Sequence, residues 1–532
     1  MQPTAPSARQ PTSAGRNLIA PVGGWNARDP LANMPAGDAI YLDNFFPKPA
    51  SIELRPGSAL WATLPPDRDP ATPTVLRDVR GLMSYQSPAG VAKLFAACQT
   101  GIYEVTAGGT VSAISAPCTN GEWQFVNIST AGGSFLWCCN GVDESRYFNG
   151  TTWTLLNGTT TPALTGVTST SIVNASLFKS RLYLCVKDSL SFWYLPVNSI
   201  AGLASEYPLG ALFRRGGYLV ATESWTLDGG NGPEDYFIAA TSEGEVAVFQ
   251  GTNPDNAATW ALQGIYYIGT PIGRRCFLKL GSDLALLTTR GLYPLSRALQ
   301  SATVDSRSAI SDKITQAWLD YAQLGKGMFG WQPILHSSEG FLLVNVPVVS
   351  SDDANIVYSY QFVMNTQTKA WCRFTGMPAE VWATHDDKLY FALHNKVFQA
   401  WVGTDDVGKS IDGKVKSAFF YPAGKGNLSR VTLLRPIFQT SAGDFSTQLA
   451  IDTDYDEAEL SYSAVSYARN AAVWDTAKWD ESYWTASRTQ AVWRTVASKP
   501  GRAISLRLRV LGKGITMSWN ATDLILQKGG LM

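Results

Sequence analysis

The chain has 532 residues, with 43 basic against 43 acidic side chains and a formal net charge of zero. Charged residues are only 16% of it, below the roughly 25% usual for soluble domains, while hydrophobic residues are 45%. This composition excludes a disordered chain, and it excludes a protein that grips nucleic acid or anionic membrane by bulk charge. The length calls for two to four domains. Three histidines, His336, His385 and His394, leave little material for His-rich metal or acid–base sites. The seven cysteines are odd in number, contain no C-x-x-C, and read as reduced core residues of a protein folded in a cytoplasm. The adjacent Cys138 and Cys139 should point to opposite faces of one strand.

Residues 1–16 are rich in Pro, Ser, Thr, Gln and Ala, lack the apolar stretch of a secretory signal, and are expected to form a flexible arm. Residues 17–80 are turn-rich and are expected to wrap another domain, with a Pro/Asp-rich linker over residues 64–73. Helical periodicity is then nearly absent. Short apolar runs punctuated by Gly and Asn indicate an all-β chain. Paired β runs recur, and the first run of each pair starts near residues 94, 135, 182, 236, 284, 341 and 389. A step of 41–57 residues with two strong hairpin strands per unit predicts a β-propeller over residues 81–402. Seven units favour seven blades, or six if one unit belongs elsewhere, with the apolar run as the inner strand of each. The blades carry neither the G-H…W-D dipeptides of WD40 repeats nor repeated S-x-D-x-G-x-x-W boxes. They read as a divergent scaffold with no small-molecule site at the axis.

One helix is predicted over residues 311–324, where Ile314, Trp318 and Tyr321 fall at helical spacing. Residues 403–532 read as a flanking β-sandwich or barrel domain. It hides a charge asymmetry: eight acids against two bases over residues 450–482, and eight bases against one acid over residues 486–532. These blocks could face each other within the domain or between subunits. No apolar run approaches the roughly 20 residues of a membrane span, so stable membrane insertion is not expected.

The candidate constellations are weak. Asp452, Asp454 and Asp456 alternate and on a strand would share one face, as a cation site or, more simply, a salt-bridged surface. His385-Asp386-Asp387 resembles an acid–base cluster but reads better as a turn, and Asp352-Asp353 reads as a hairpin tip. Arg214-Arg215 and Arg274-Arg275 could touch phosphate, but interface salt bridges explain them. Trp474, Trp479, Tyr483, Trp484 and Trp493 could stack on bases or sugars, but such aromatics more often pack an interface. No nucleophile elbow, P-loop or zinc-protease motif occurs. No catalytic, cofactor-binding or metal-binding residue is assigned, and no cofactor is expected.

Residues 18–35 (LIAPVGGWNARDPLANMP), 38–47 (DAIYLDNFFP) and 52–57 (IELRPG) form a specific run. It resembles the opening of tail nozzle, or hub, proteins of short-tailed bacteriophages. Residues 435–437 (RPI), 454–456 (DYD) and 519–524 (WNATDL) are similar to the same family. The resemblance implies a non-enzymatic virion tail protein assembled in the host cytoplasm. It implies a homohexameric tube below a portal-proximal adaptor ring, with tail fibres or spikes at its side. Double-stranded DNA would pass transiently through the lumen during ejection. The chain departs from the family in lacking an obvious tip signature, which leaves the gate loops unassigned. The rival reading is a carbohydrate-binding or glycoside-hydrolysing propeller tail component, for which Asp386, Asp387 and Glu380 are the clustered carboxylates near blade loops. A cellular interaction propeller is a further rival, but it leaves the N-terminal run unexplained.

Overall fold

The computed structural model describes residues 13–65, 68–69, 72–76, 78–228, 233–300, 306–349, 357–441, 445–456, 461–463, 488–496 and 498–529. The tip at Asp352-Asp353, residues 1–12 of the expected arm, most of the acidic block, and Trp474, Trp479, Tyr483 and Trp484 lie outside these. The chain divides into two compact units. One combines residues 1–58, 363–376 and 402–532; the other combines residues 59–362 and 377–401. Among the described residues, no helix is long and apolar enough to cross a membrane.

The second unit is a seven-bladed propeller. The blades begin with the strands Gly81–Gln86, Gln124–Thr130, Ile172–Phe178, Leu219–Asp228, Phe277–Leu280, Gln332–His336 and Val381–His385. Each is followed by antiparallel partners, in a sheet of three to five strands for every blade but the sixth, whose strands belong to a 10-stranded sheet. These first strands touch in succession around the ring, the seventh against the first, except that the fourth is seen against the second strand of the fifth blade, Asp283–Thr288; this makes them the inner strands. The apolar runs of the sequence are the second strands: Ala92–Cys98, Gly133–Cys139, Arg181–Val186, Pro233–Thr241, Asp283–Thr288, Phe341–Val349 and Lys388–Leu393. The expectation that they lie innermost is thus corrected by one strand. They are the most apolar because both of their faces are covered by neighbouring blades.

The alternation is visible residue by residue. Leu94, Ala96 and Cys98 pack with Val381, Tyr390 and Ala392 of the seventh blade, whereas Phe95 and Ala97 pack with Leu136 and Cys138 of the second. Trp137 and Cys139 then face Leu182 and Leu184 of the third blade. Tyr183 and Cys185 face Phe237, Ala239 and Ala247 of the fourth. Cys138 and Cys139 therefore do point to opposite faces. All seven cysteines are free and buried, and burial pushes thiols such as Cys118 up to about 12.

The ring closes with a strand from the chain's beginning. Ser58–Thr63 is the fourth strand of the seventh blade, beside Lys396–Ala400. Residues 59–63 thus belong to the propeller and not to a wrapping segment. In the expected linker, Arg68–Asp69 and Thr72–Leu76 pair as a small hairpin. The predicted helix is present as Thr315–Gly325, preceded by a 3-10 turn at Asp312–Ile314. Ile314 and Trp318 are its buried anchors, and the Trp318 indole donates to the Thr288 carbonyl at 3.0 Å.

The first unit has two sheets. In one, Phe45–Pro47, Ile52–Leu54, Met517–Lys528, Ser429–Thr440 and Arg488–Ala491 lie side by side, and Ser13–Ile19 pairs with Met517–Lys528. Residues 13–16 of the expected arm are therefore strand. In the other, Asp38–Asp43 lies between Trp371–Phe374 and Ile411–Ser417, followed by Ile504–Gly512 and Phe445–Thr453. Burial alternates along Ile504–Gly512 and Met517–Lys528, as expected when one face of each sheet meets the core. Leu54 lies close over Gly413 and Gly512, where a Cβ on either glycine would sit within 2.8 Å of the leucine. The N-terminal segment supplies strands to both of these sheets.

The specific N-terminal run is a network of satisfied polar groups. Asn26 donates to Asp29 and Asp38, both at 2.8 Å, and accepts from the backbone of Arg28 and Asp29. Asp43 holds Arg373 through two bonds of 2.8 Å. Asn44 sits at φ 58°, donates to Asp412 O and Thr375 Oγ1, and accepts from Thr375 N. The Arg55 side chain is fully buried and its guanidinium donates to Asn44 Oδ1, Pro56 O, Thr375 O and both oxygens of Asp406, at 2.6–3.0 Å. Gly57 lets this corner close, because a Cβ there would lie 1.8 Å from the Asp405 carbonyl oxygen.

Removing a buried, paired guanidinium strands the groups around it. Arg55→Ala is expected to destabilise the chain by about 3 kcal/mol in chemical denaturation. Arg55→Lys should not restore it, for lack of the planar fork. Arg28→Ala, which deletes an exposed pair with Asp29, should change stability by less than about 0.5 kcal/mol.

Candidate functional site at the mouth of the propeller

The inner strands all begin on one face of the ring, and the short connections there bring together residues far apart in sequence. Arg275 precedes the inner strand of the fifth blade. Its guanidinium donates to Arg80 O at 3.2 Å and Trp123 O at 3.1 Å, at the entries of the first and second blades, and to Gln332 Oε1 of the sixth at 3.3 Å. Gln332 in turn donates to and accepts from the backbone of Trp382 in the seventh blade. Arg275 therefore ties blades on opposite sides of the ring. Burial pulls its pKa down to about 10, still well above neutrality. Phe329, in the connection after the helix, lies under both Arg275 and Arg80, with guanidinium-to-ring distances of 5.6 and 5.5 Å. Together they occupy the centre of this face.

Two cavities flank this centre. One, of about 330 Å³, is lined by Glu122, Gln124, Arg274, Arg275 and residues 326–331; the other, of about 310 Å³, by Val173, Lys187, Asp188, Tyr218, Arg274 and Lys326 among others. Arg274 is exposed and lines both, as does Lys326. Arg214 and Arg215 also have a role within the chain. Their backbone N–H groups donate to the buried Glu245 carboxylate, and the Arg215 guanidinium stacks 4.0 Å from the Tyr267 ring centre.

The carboxylates proposed from sequence do not converge. Asp386 and Asp387 form the left-handed turn after the strand Val381–His385, while Glu380 immediately precedes that strand. Five intervening strand residues place them on the order of 20 Å apart at 3.3 Å per residue, beyond the 5–9.5 Å of a glycosidase pair. His385 turns inward instead, with Nδ1 2.9 Å from Ser84 Oγ, and burial holds its pKa below the ordinary histidine value. His336 is buried against the edge of Phe341. Asp452, Asp454 and Asp456 do not share a face either. Asp452 is buried between Lys416 at 3.1 Å and Arg507 at 3.3 Å, and Asp454 accepts from the backbone of Arg502 and Ala503. Where described, the acidic block thus meets the basic block within one chain. Trp493 lies under Arg435 at 4.9 Å.

Glu380 has other company. It lies at the entry of the seventh blade with Asp78, just ahead of the first blade, and His394, in the turn between Lys388–Leu393 and Lys396–Ala400. One donor atom from each lies within 4.8 Å of the others. His394 Nδ1 is 3.2 Å from Asp78 Oδ1, and this bond first of all holds the Asp78 carboxyl below the usual range. Burial, then the charge of Asp78, pushes Glu380 up to about 7. Nothing in the sequence marked this cluster: Asp78 and His394 are 316 residues apart.

No family model matches the chain, and no curated protein matches it. Among solved structures, similarity extends to BBS1N in complex with ARL6DN (10% identity, 66% of this chain and 97% of that one, TM-score 0.38). It extends to YCF48 from Cyanidioschyzon merolae (10% identity, 64% and 99%, TM-score 0.37). A glycoside hydrolase family 43 arabinoxylan arabinofuranohydrolase from Bacillus subtilis is similar at 9% identity over 89% and 92%, with a TM-score of 0.25. At these scores the likenesses carry no functional argument.

A carboxyl group whose folded pKa is raised contributes stability below its unfolded value, near 4.5, and this is lost as pH rises through about 7. In chelator-treated buffer, Glu380→Gln should therefore change little near pH 4 and stabilise the protein by up to about 3 kcal/mol above pH 7. Denaturation midpoints across pH 4–9 check this.

Proposed function

We propose that this chain is a structural, non-enzymatic virion protein, a tail nozzle or hub subunit of a short-tailed bacteriophage. Six copies form a tube that conducts double-stranded DNA during ejection and anchors an adaptor ring and side-attached fibres or spikes. The observation that carries the reading is the run over residues 18–57, the one stretch whose wording is specific. Its polar residues Asn26, Asp43, Asn44 and Arg55 are engaged in building the first unit, as befits a motif that defines a scaffold and not a reaction site. The charge balance supports the same role, since each neutralised phosphate adds affinity and a strongly basic lumen would brake the genome. The centre of the propeller, crossed by Arg275 and Phe329, offers no path for a duplex, so on this reading the conduit lies between subunits.

A second reading, a glycoside-hydrolysing tail component, has one observation in its favour: Asp78 and Glu380 are close and their pKa values are pushed apart. Against it, neither cavity at the mouth is lined by Asp78, Glu380 or His394.

Mass photometry and negative-stain images of the purified full chain, alone and with virion extract, should give rings of six copies of 57.7 kDa, about 346 kDa. A strictly monomeric propeller absent from virions overturns the nozzle reading. Release of reducing sugar from a polysaccharide panel, abolished by Glu380→Gln, would establish the second.

A further inference from the structure

Asp78, Glu380 and His394 bring two carboxylates and an imidazole together where two blades meet. Two carboxylates, both half-buried, converge at the junction of the first and seventh blades. Among the described residues, the Arg80 guanidinium lies 3.0 Å from Glu122 and over the Phe329 ring. The group that faces the carboxylates is the imidazole of His394, a residue in a tight turn at φ 52° whose carbonyl accepts from Val79 N at 2.9 Å. Two carboxylate oxygens and one imidazole nitrogen are the ligand chemistry of borderline divalent transition metals.

We propose that Asp78, Glu380 and His394 form a binding site for a divalent transition-metal ion of the zinc class, which clamps the first blade to the seventh. An ion about 2.0–2.2 Å from each ligand needs donors no more than about 4.4 Å apart. The present spacing, within 4.8 Å, closes by a small side-chain rotation. Three protein ligands leave a fourth position for water.

The site joins blades by its donor list. Glu380 and His394 belong to the seventh blade, which is completed by Ser58–Thr63, and Asp78 leads into the first. A ligand that binds only the folded ring stabilises it by mass action. The full chain, stripped with chelator, is titrated with Zn²⁺ in thermal melts and with Co²⁺ in visible absorption. The expected result is one ion per chain, a melting temperature raised by about 5 °C at a hundredfold excess over Kd, and cobalt d–d bands without a thiolate charge-transfer band. His394→Ala alters an exposed side chain and should fold, yet lose both responses; Asp78→Asn should do the same. Absence of both responses in the parent chain overturns the proposal. So does an equal response in His394→Ala, or a thiolate band that places the ion on cysteine.

Discussion

A blade of this propeller has two apolar faces and can bury neither alone. Every other feature of the ring follows from that constraint. Cys138 and Cys139 are neighbours in sequence yet belong to different cores, one shared with the first blade and one with the third. The same division holds for Phe95 against Leu94 and for Tyr183 against Leu184. Each core is owned by two blades, so the structure gains its full hydrophobic stabilisation only when the ring is complete. Closing the seventh blade with Ser58–Thr63, a strand from the other end of the propeller's own sequence, makes completion a long-range event with a correspondingly large loop-closure cost.

The first unit is specified by different means. Its sheets rely on apolar alternation, but its corners rely on polar groups buried with every partner supplied. Arg55 directs its guanidinium at four residues, and Asn44 accepts a left-handed backbone to serve three of the same strands and turns. Such a corner tolerates few side chains. Lysine lacks the fork, and any residue larger than Gly57 collides with Asp405. This explains physically why residues 38–57 read as a distinctive phrase while the blades do not. A blade asks only for alternating apolar volume, which many sequences meet; the Arg55 corner asks for particular donors and acceptors.

Legibility divides along the same line. The seven second strands were visible in the sequence because burial on both faces removes polar residues from them, and the helix was visible because Ile314 and Trp318 repeat at its period. Their placement was less visible. The inner strands carry a mixed pattern, since residues near the mouth, such as Gln124 and Gln332, meet polar groups, and so the sequence alone points to the apolar run as the innermost strand. Ser58–Thr63 has an alternation too short to reveal a partner more than 330 residues away in the chain. The Asp78–Glu380–His394 cluster was invisible for a stronger reason. Its members come from three connections around a ring seam, and no local spacing encodes the fact that a ring has a seam.

The mouth carries a final consequence. Arg275 and Phe329 bind the entries of opposing blades together, and Arg275 keeps its charge while doing so because its pKa, though lowered, stays near 10. A propeller braced across its centre resists the shear between blades that a passing load would apply. Exposed cationic groups beside the brace, Arg274 and Lys326, then face outward from a rigid platform. In the proposed tube, such a platform suits a wall: stiff within each subunit, neutral overall, and open only in the space that several subunits enclose together.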